Sequence, residues 1–204
     1  MLGGVLIVCH ANLCRSPMAE YLARELLAQR LGGEAAGVPV GSAGTHAVPG
    51  YPMHPHAARV TAERGTDPEA FRSRPLHAEQ LRGAGLILTA TRAQRTTCVS
   101  LAPSALRRTF TLRQFARLAA AAVQQGGTGE QGATTPDGPR DPVRRLDAAV
   151  AAASRARAGL QPPARPDDDD LTDPVGLPIA EFRHCVREIE RALRPTVGLI
   201  AVSG

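Results

Sequence analysis

The sequence predicts an α/β fold, a three-layer sandwich around a central four-stranded parallel sheet. Three observations carry this expectation. Short apolar runs alternate with helical patterns, which is the arrangement of βαβ units. Residues 2–8 and 86–88 are apolar runs of strand length, as expected for buried strands. Gly32, Gly65 and Pro103 stop helical patterns between the strands.

The elements follow in order. Residues 2–8 form the first strand. A helix over 17–31 comes next, with Ser16 as N-cap, Pro17 in the first turn and Gly32 as the stop. Leu22, Leu26 and Leu27 share its apolar face. Residues 38–43 are the second strand, and a Gly/Pro-rich loop leads to a helix over 56–64, closed by Gly65. A short helix over 76–82 precedes the third strand. Helix 92–101 stops before Pro103, residues 109–112 give the fourth strand, and 113–123 another helix. Residues 124–141 read as a flexible Gly/Thr/Pro loop, 143–158 as an Arg/Ala-rich helix, and 162–170 as a linker ending in four aspartates. Ile179, Phe182, Val186, Ile189 and Leu193 recur at spacings of three and four, the stripe of a final amphipathic helix. The expected organisation is one domain over 1–204 with an insertion at about 124–170.

Composition narrows the function classes. Aromatics make up only 3% of the chain, so the core rests on Leu, Val, Ile and Ala. All 24 basic residues are arginine, a pattern of GC-rich coding that becomes functional only where the arginines cluster. The net charge of +5 suits anionic substrates, but no basic stripe is interleaved with aromatics, so nucleic acid is not an expected partner. No apolar run reaches the ~18 residues of a membrane span. The apolar start lacks a basic n-region and a cleavage pattern, which predicts a cytoplasmic protein. Cys9, Cys14, Cys98 and Cys185 do not form a secreted disulfide framework.

Chemistry concentrates between the first strand and the first helix. Cys9-His10-Ala11-Asn12-Leu13-Cys14-Arg15 places a cysteine, five residues and an arginine there, with Ser16 following. Ligands of parallel sheets bind at the carboxyl ends of strands. A loop at that point can turn successive N–H groups inward beside a helix N-terminus, which makes a cradle for a dianion. The same field favours thiolate over thiol at Cys9. Arg15 can close a two-pronged fork on phosphate oxygens, a geometry lysine lacks.

Residues Val8 to Glu20, with Ser42-Ala43-Gly44-Thr45, Leu86-Ile87-Leu88-Thr89 and Asp173-Pro174, resemble the low-molecular-weight protein tyrosine phosphatase family. The resemblance covers about residues 1–118 and 171–193. It implies that family's fold, the phosphotyrosine protein phosphatase I-like sandwich, and hydrolysis of protein phosphotyrosine through a phosphocysteine, with no metal and no cofactor. It implies Cys9 as nucleophile and Asp173 as general acid. Arg15, with the loop residues His10, Ala11, Asn12, Leu13 and Cys14, would bind phosphate. Ser16 would hydrogen-bond the thiolate, and Asn12 would take the left-handed conformation with support from Ser42. Cys14 is either a redox partner of Cys9 or a buried small hydrophobe.

The chain departs from the family in its cleft. Val175 stands where an aromatic usually follows Asp-Pro, and no aromatic occupies 46–48, although Tyr51 is near. Relatives acting on phosphoarginine carry threonine where Leu13 stands. Arsenate reductases of this fold need further cysteines for a disulfide relay, and Cys98 and Cys185 read instead as core cysteines. A non-catalytic phosphate-binding module is the third alternative. Two other Asp-Pro pairs, at Asp67 and Asp141, compete with Asp173 for the acid. His54-Pro55-His56 reads as a helix start rather than a metal site. The Asp167 to Asp170 run reads as a solvated linker drawn toward arginines 140–157, and the insertion either flanks the cleft or is a loose addition.

Overall fold

The computed structural model describes residues 3–126, 141–157, 159, 161 and 163–200. Most of the expected 124–141 loop, residues 127–140, lies outside these. Four strands form one parallel sheet in the order β2-β1-β3-β4: β1 (Val5–Cys9), β2 (Val40–Gly44), β3 (Leu86–Thr89) and β4 (Thr109–Thr111). Val5 pairs with Val40 on one side and Leu86 on the other, so β1 is central and fully buried.

The strands' two-residue period separates two cores. Val5 and Ile7 of β1, with Leu86 and Leu88 of β3, face the larger one. It is covered by α1 (Arg15–Leu31), α2 (Pro55–Ala62), α5 (Leu112–Gly126), α6 (Pro142–Ala156) and α7 (Ile179–Ile200). Leu6, Val8 and Ile87 face the smaller one, closed by α3 (Ala78–Gly83) and α4 (Arg92–Leu101) through Leu81 and Cys98. This is the three-layer sandwich the alternating pattern predicted.

Several boundaries differ for physical reasons. Helix α1 begins at Arg15 with Cys14 as its N-cap residue, and no side chain caps it. Ser16 is therefore not the cap: its hydroxyl bonds Cys9 and Asn12 instead. Helix α7 continues through Pro195 to Ile200, beyond the expected end near Leu193. Buried Thr196, Val197 and Ile200 hold that last turn despite the proline. Its stripe of Phe182, Val186, Ile189 and Leu193 is buried as predicted. Phe182 is clasped by the rings of His54 and His56 at 4.9 and 5.3 Å. Truncating it to alanine carries a cost of about 3–5 kcal/mol.

Helix α6 packs into the body through Leu146, Ala149, Ala153 and Ala156, and Arg145 pairs with Glu34 at 2.6 Å. The expected aspartate linker is structured. Pro166–Asp169 forms a 3₁₀ turn, and Asp169 is buried against Arg117 at 2.7 Å. Asp170 accepts from the Arg92 N–H at 2.7 Å, and the Asp168 carbonyl accepts from Arg113 at 3.2 Å. Among the described residues the run is thus drawn to α5 and to the start of α4 rather than to Arg144, Arg145, Arg155 or Arg157, and Arg140 lies outside them. A carboxylate beside the free N–H groups of a helix start satisfies both. Among the described residues no helix is long and apolar enough to cross a membrane.

Candidate active site

The loop between β1 and α1 sits at the carboxyl edge of the central strand. Its shape is fixed by Asn12, which has φ +56° and is fully buried. Asparagine accepts this left-handed conformation more readily than most residues. Its amide nitrogen donates to Ser16 Oγ at 2.9 Å and Ser42 Oγ at 2.8 Å, and its oxygen accepts from the Arg74 N–H at 2.9 Å. Ser42 in turn donates to Glu20 at 2.5 Å. Ser16 Oγ lies 2.9 Å from Cys9 Sγ. Because Ser16 accepts from Asn12, its single proton has two acceptors, the sulfur at 2.9 Å and the Ala43 carbonyl at 3.5 Å, and the sulfur is the nearer.

The segment after β2 clamps the loop. Thr45 and His46 N–H groups donate to the Cys9 and His10 carbonyls at 3.0 and 2.9 Å, and His54 N–H donates to the Leu13 carbonyl at 2.9 Å. A Cβ on Gly44 would lie 2.6 Å from the His10 oxygen and 2.8 Å from the Asn12 nitrogen, so only glycine lets these backbones meet. With the carbonyls so engaged, the N–H groups of Ala11, Asn12, Leu13 and Cys14 have no hydrogen-bond acceptor among the described residues. Free amides in a row beside a helix start are an anion cradle. His10 is exposed and stacks on His46 at 4.5 Å.

Arg15 is only 5% exposed, and its guanidinium reaches the segment before α7. One Nη donates to the Leu171 carbonyl at 3.1 Å, and the other pairs with the Asp173 carboxylate. Asp173 also accepts from the Val175 N–H, and Gly176 at φ +79° turns the chain beyond it. The other Asp-Pro pairs are elsewhere. Asp67 accepts from the Glu69 N–H, and Asp141 accepts from the Val143 N–H as the N-cap of α6. The fold therefore brings Cys9, Arg15, Ser16, Asn12, Ser42 and Asp173 to one end of the sheet.

All four cysteines are free and buried. Burial first, then the neighbouring Cys9 and Asp173, push the Cys14 thiol up to about 12. Cys185 is also pushed up to about 12, by burial above all, and lies behind the acid segment. The Tyr51 side chain is exposed beside the clamp, as is Val175 beyond Asp173. His54 is the N-cap of α2 and accepts from the His56 N–H, the helix-start role expected of that pair.

Two supporting residues, Glu20 and Arg74, were not anticipated. Glu20 is 2% exposed and holds Ser42, Arg24 at 2.5 Å and Arg74 at 3.3 Å. Arg74 also donates to the Ser42 carbonyl at 2.6 Å. The signal for Glu20 was present: it is a lone carboxylate among Met18, Ala19, Leu22 and Ala23, all buried. Arg74 lies on a loop far from the motif in sequence and offered no such signal.

Comparison with known proteins agrees with this geometry. The family model described as low molecular weight phosphotyrosine protein phosphatase matches residues 4–125. A probable low molecular weight protein-tyrosine-phosphatase, EpsP of Ralstonia solanacearum, is 38% identical over 115 residues, covering 56% of this chain and 74% of that protein. A protein-arginine-phosphatase of Geobacillus stearothermophilus is 37% identical over 111 residues, covering 54% and 70%. The solved structure of the YwlE arginine phosphatase from the same organism superimposes with a TM-score of 0.63 at 26% identity, over 95% of this chain and 90% of that one.

Proposed function

Because the chain belongs to the low-molecular-weight phosphotyrosine protein phosphatase family, whose members are cysteine-dependent phosphatases, we propose that it hydrolyses protein phosphotyrosine with Cys9 as nucleophile and Asp173 as general acid. The observation that carries this reading is the meeting of Cys9, Ser16, Arg15 and Asp173 around one row of free amides. The amides of residues 11–14 take the phosphate oxygens. Arg15 exchanges its contacts with Leu171 and Asp173 for two of those oxygens. Cys9 Sγ forms a bond to phosphorus as the bond to the aryl oxygen breaks. Protonated Asp173, released from Arg15, gives its proton to that oxygen. This matters because a phenol of pKa about 10 leaves poorly as the anion. The Asp173 carboxylate then takes a proton from water, whose oxygen displaces sulfur from phosphorus and frees inorganic phosphate. Ser16 donates to the sulfur when it is anionic, and the Glu20–Ser42–Asn12 chain keeps Ser16 in place.

Exposed Val48, Tyr51, Val175 and Leu177 border the loops that flank this end of the sheet. They supply apolar surface for an aryl ring in place of the usual aromatic pair. A second reading, phosphoarginine, rests on the likeness to protein-arginine phosphatases. Leu13 favours the tyrosine reading, because threonine marks the arginine-specific relatives. Turnover of matched phosphotyrosine, phosphoserine and phosphoarginine peptides decides between them. We expect phosphotyrosine to lead in kcat/KM by at least about tenfold, the worth of a modest pocket contact. A lead for phosphoarginine would reassign the substrate. We further read the chain as a cytoplasmic single domain in which α6 belongs to an insertion, since its apolar face joins the main core.

A further inference from the structure

Beside the sheet edge formed by β4 lies a cavity of about 450 Å³ that shares no lining residue with the Cys9 loop. Its charged lining is Arg92, Arg95, Arg117 and Arg157 against one carboxylate, Asp169. Asp169 is committed to Arg117. Arg92, Arg95 and Arg157 have no carboxylate partner among the described residues, which form thirteen such pairs between other side chains.

The cluster is held in place rather than left to drift. Arg95 Nε and Arg157 Nη2 both donate to the Thr109 carbonyl, at 3.0 and 3.1 Å, which draws two like charges together. The Arg157 guanidinium lies 4.1 Å above the Phe110 ring, and Phe110 is fully buried. The Arg157 Nε is buried without a hydrogen-bond partner, a donor left for a ligand. Burial, and then repulsion by Arg95, lower the Arg157 pKa to about 10; Arg95 is lowered by burial and by Arg92. Unpaired cations converging in a half-enclosed space are costly unless an anion joins them. Leu118, Pro163 and Ala164 line the same cavity and add apolar surface. The volume is that of a small-molecule site.

We propose that this cavity binds a small organic polyphosphate, with its phosphates among Arg92, Arg95 and Arg157 and its organic body against Leu118, Pro163 and Ala164. Planar guanidiniums form paired hydrogen bonds to phosphate oxygens, and one phosphate group cannot engage three of them as fully as two can. A concave cavity of this size favours a small molecule over an extended chain. The site uses none of the residues assigned to hydrolysis, so it stands independently of that reading.

Calorimetric titration of the full chain with ADP, with and without saturating orthovanadate, tests the proposal. One ADP site that vanadate leaves in place is expected. Its Kd rises at least tenfold in the Arg95→Gln/Arg157→Gln double variant. It rises severalfold in Arg92→Gln, which changes an exposed position and keeps the fold if the double variant does not. No vanadate-insensitive binding, or binding indifferent to both variants, overturns the site. Pyrophosphate binding as tightly as ADP overturns the organic body.

Discussion

The molecule carries two cationic hollows built on opposite plans. At the Cys9 loop one buried guanidinium, Arg15, holds the Leu171 carbonyl and Asp173, and the donors beside it are the free amides of residues 11–14 and the Ser16 hydroxyl, supported by the Asn12 network. In the cavity beside β4, four guanidiniums face one carboxylate, and two of them share a single carbonyl. The first hollow spends few charges and fixes their geometry through neighbours. The second concentrates charge, with Arg95 and Arg157 held by one shared carbonyl. Catalysis requires groups aligned with a transition state, so shape governs the first. Capture of a polyanion requires chiefly opposite charge, so charge governs the second. Substitutions that keep charge and change shape should separate them.

The largest effects belong to the Cys9 loop. Cys9→Ser should lower kcat on an aryl phosphate by roughly 10⁴-fold or more, because the weaker nucleophile sits in an unchanged cradle. Arg15→Lys keeps the charge but loses the fork, and kcat/KM should fall by roughly 10²–10³-fold. Arg95→Lys, the same exchange in the cavity, loses one fork of three and should weaken ADP by less than about tenfold. Steady-state kinetics and calorimetry read the two. Equal losses at both positions would erase the contrast between shape and charge.

Next in size is the acid. Asp173→Asn should cost roughly 10²–10³-fold in kcat for phosphotyrosine and remove one limb of the pH–rate profile. With para-nitrophenyl phosphate, whose leaving group needs less protonation, the loss should shrink. Asp141→Asn should leave turnover unchanged, since that carboxylate only caps α6. Loss of the pH limb in Asp141→Asn alone would move the acid from one Asp-Pro to the other.

Local sequence made the first hollow legible. Cys9, Arg15 and Ser16 fall within eight residues, and their chemistry is written in their spacing between a strand and a helix. Strands β1 and β3 were legible because burial on both faces leaves an apolar run, whereas β2 and β4, with Ser42 and two threonines, were reached only through their alternation with helices. Asp173 was reached by resemblance and by its setting before α7; the structure then brings it to Arg15. What stayed hidden depended on distant partners. Ser16 read as a cap because local preference favours it, but tertiary contacts with Cys9 and Asn12 claimed its hydroxyl. The run Asp167 to Asp170 looked solvated because nothing nearby in sequence shows that Arg117, Arg113 and the Arg92 N–H await it. The second hollow was invisible for the same reason. Its arginines come from α4, α5 and the end of α6, and arginine abundance alone had been discounted as coding bias.

A subtler probe of the first hollow is Asn12→Ala. It removes three hydrogen bonds and places an ordinary residue at φ +56°. The loop should loosen without losing either reacting group. We expect a roughly 10–100-fold loss in kcat/KM, about 1.4–2.8 kcal/mol, with Cys9 still able to turn over substrate. Asn12→Gly, which accepts the backbone angle but not the hydrogen bonds, should recover part of the loss if strain contributes. Identical kinetics in the two variants would assign the whole effect to the side-chain network.

The smallest expected effect compares one buried thiol from each neighbourhood. Cys14 lies in the Cys9 loop, and Cys98 lies on α4, the helix that carries Arg92 and Arg95. Both rise from 9.0 to about 12, each chiefly through burial, with the charge of Cys9 adding to the rise only at Cys14. Because the folded value is the higher one, the unfolded chain releases these protons first. Each thiol's contribution is therefore complete below pH 9 and is lost as pH climbs toward 12. At pH 10 the loss is about 1.4 kcal/mol per thiol. Urea unfolding from pH 8 to 10 should show this decline, and Cys98→Ala should flatten it by about that amount after its own cost of about 1 kcal/mol at neutral pH. Cys14→Ala should flatten it equally if burial governs both thiols. A smaller change for Cys14 would mean that Arg15, which opposes the rise at that thiol and has no counterpart at Cys98, offsets burial beside the nucleophile.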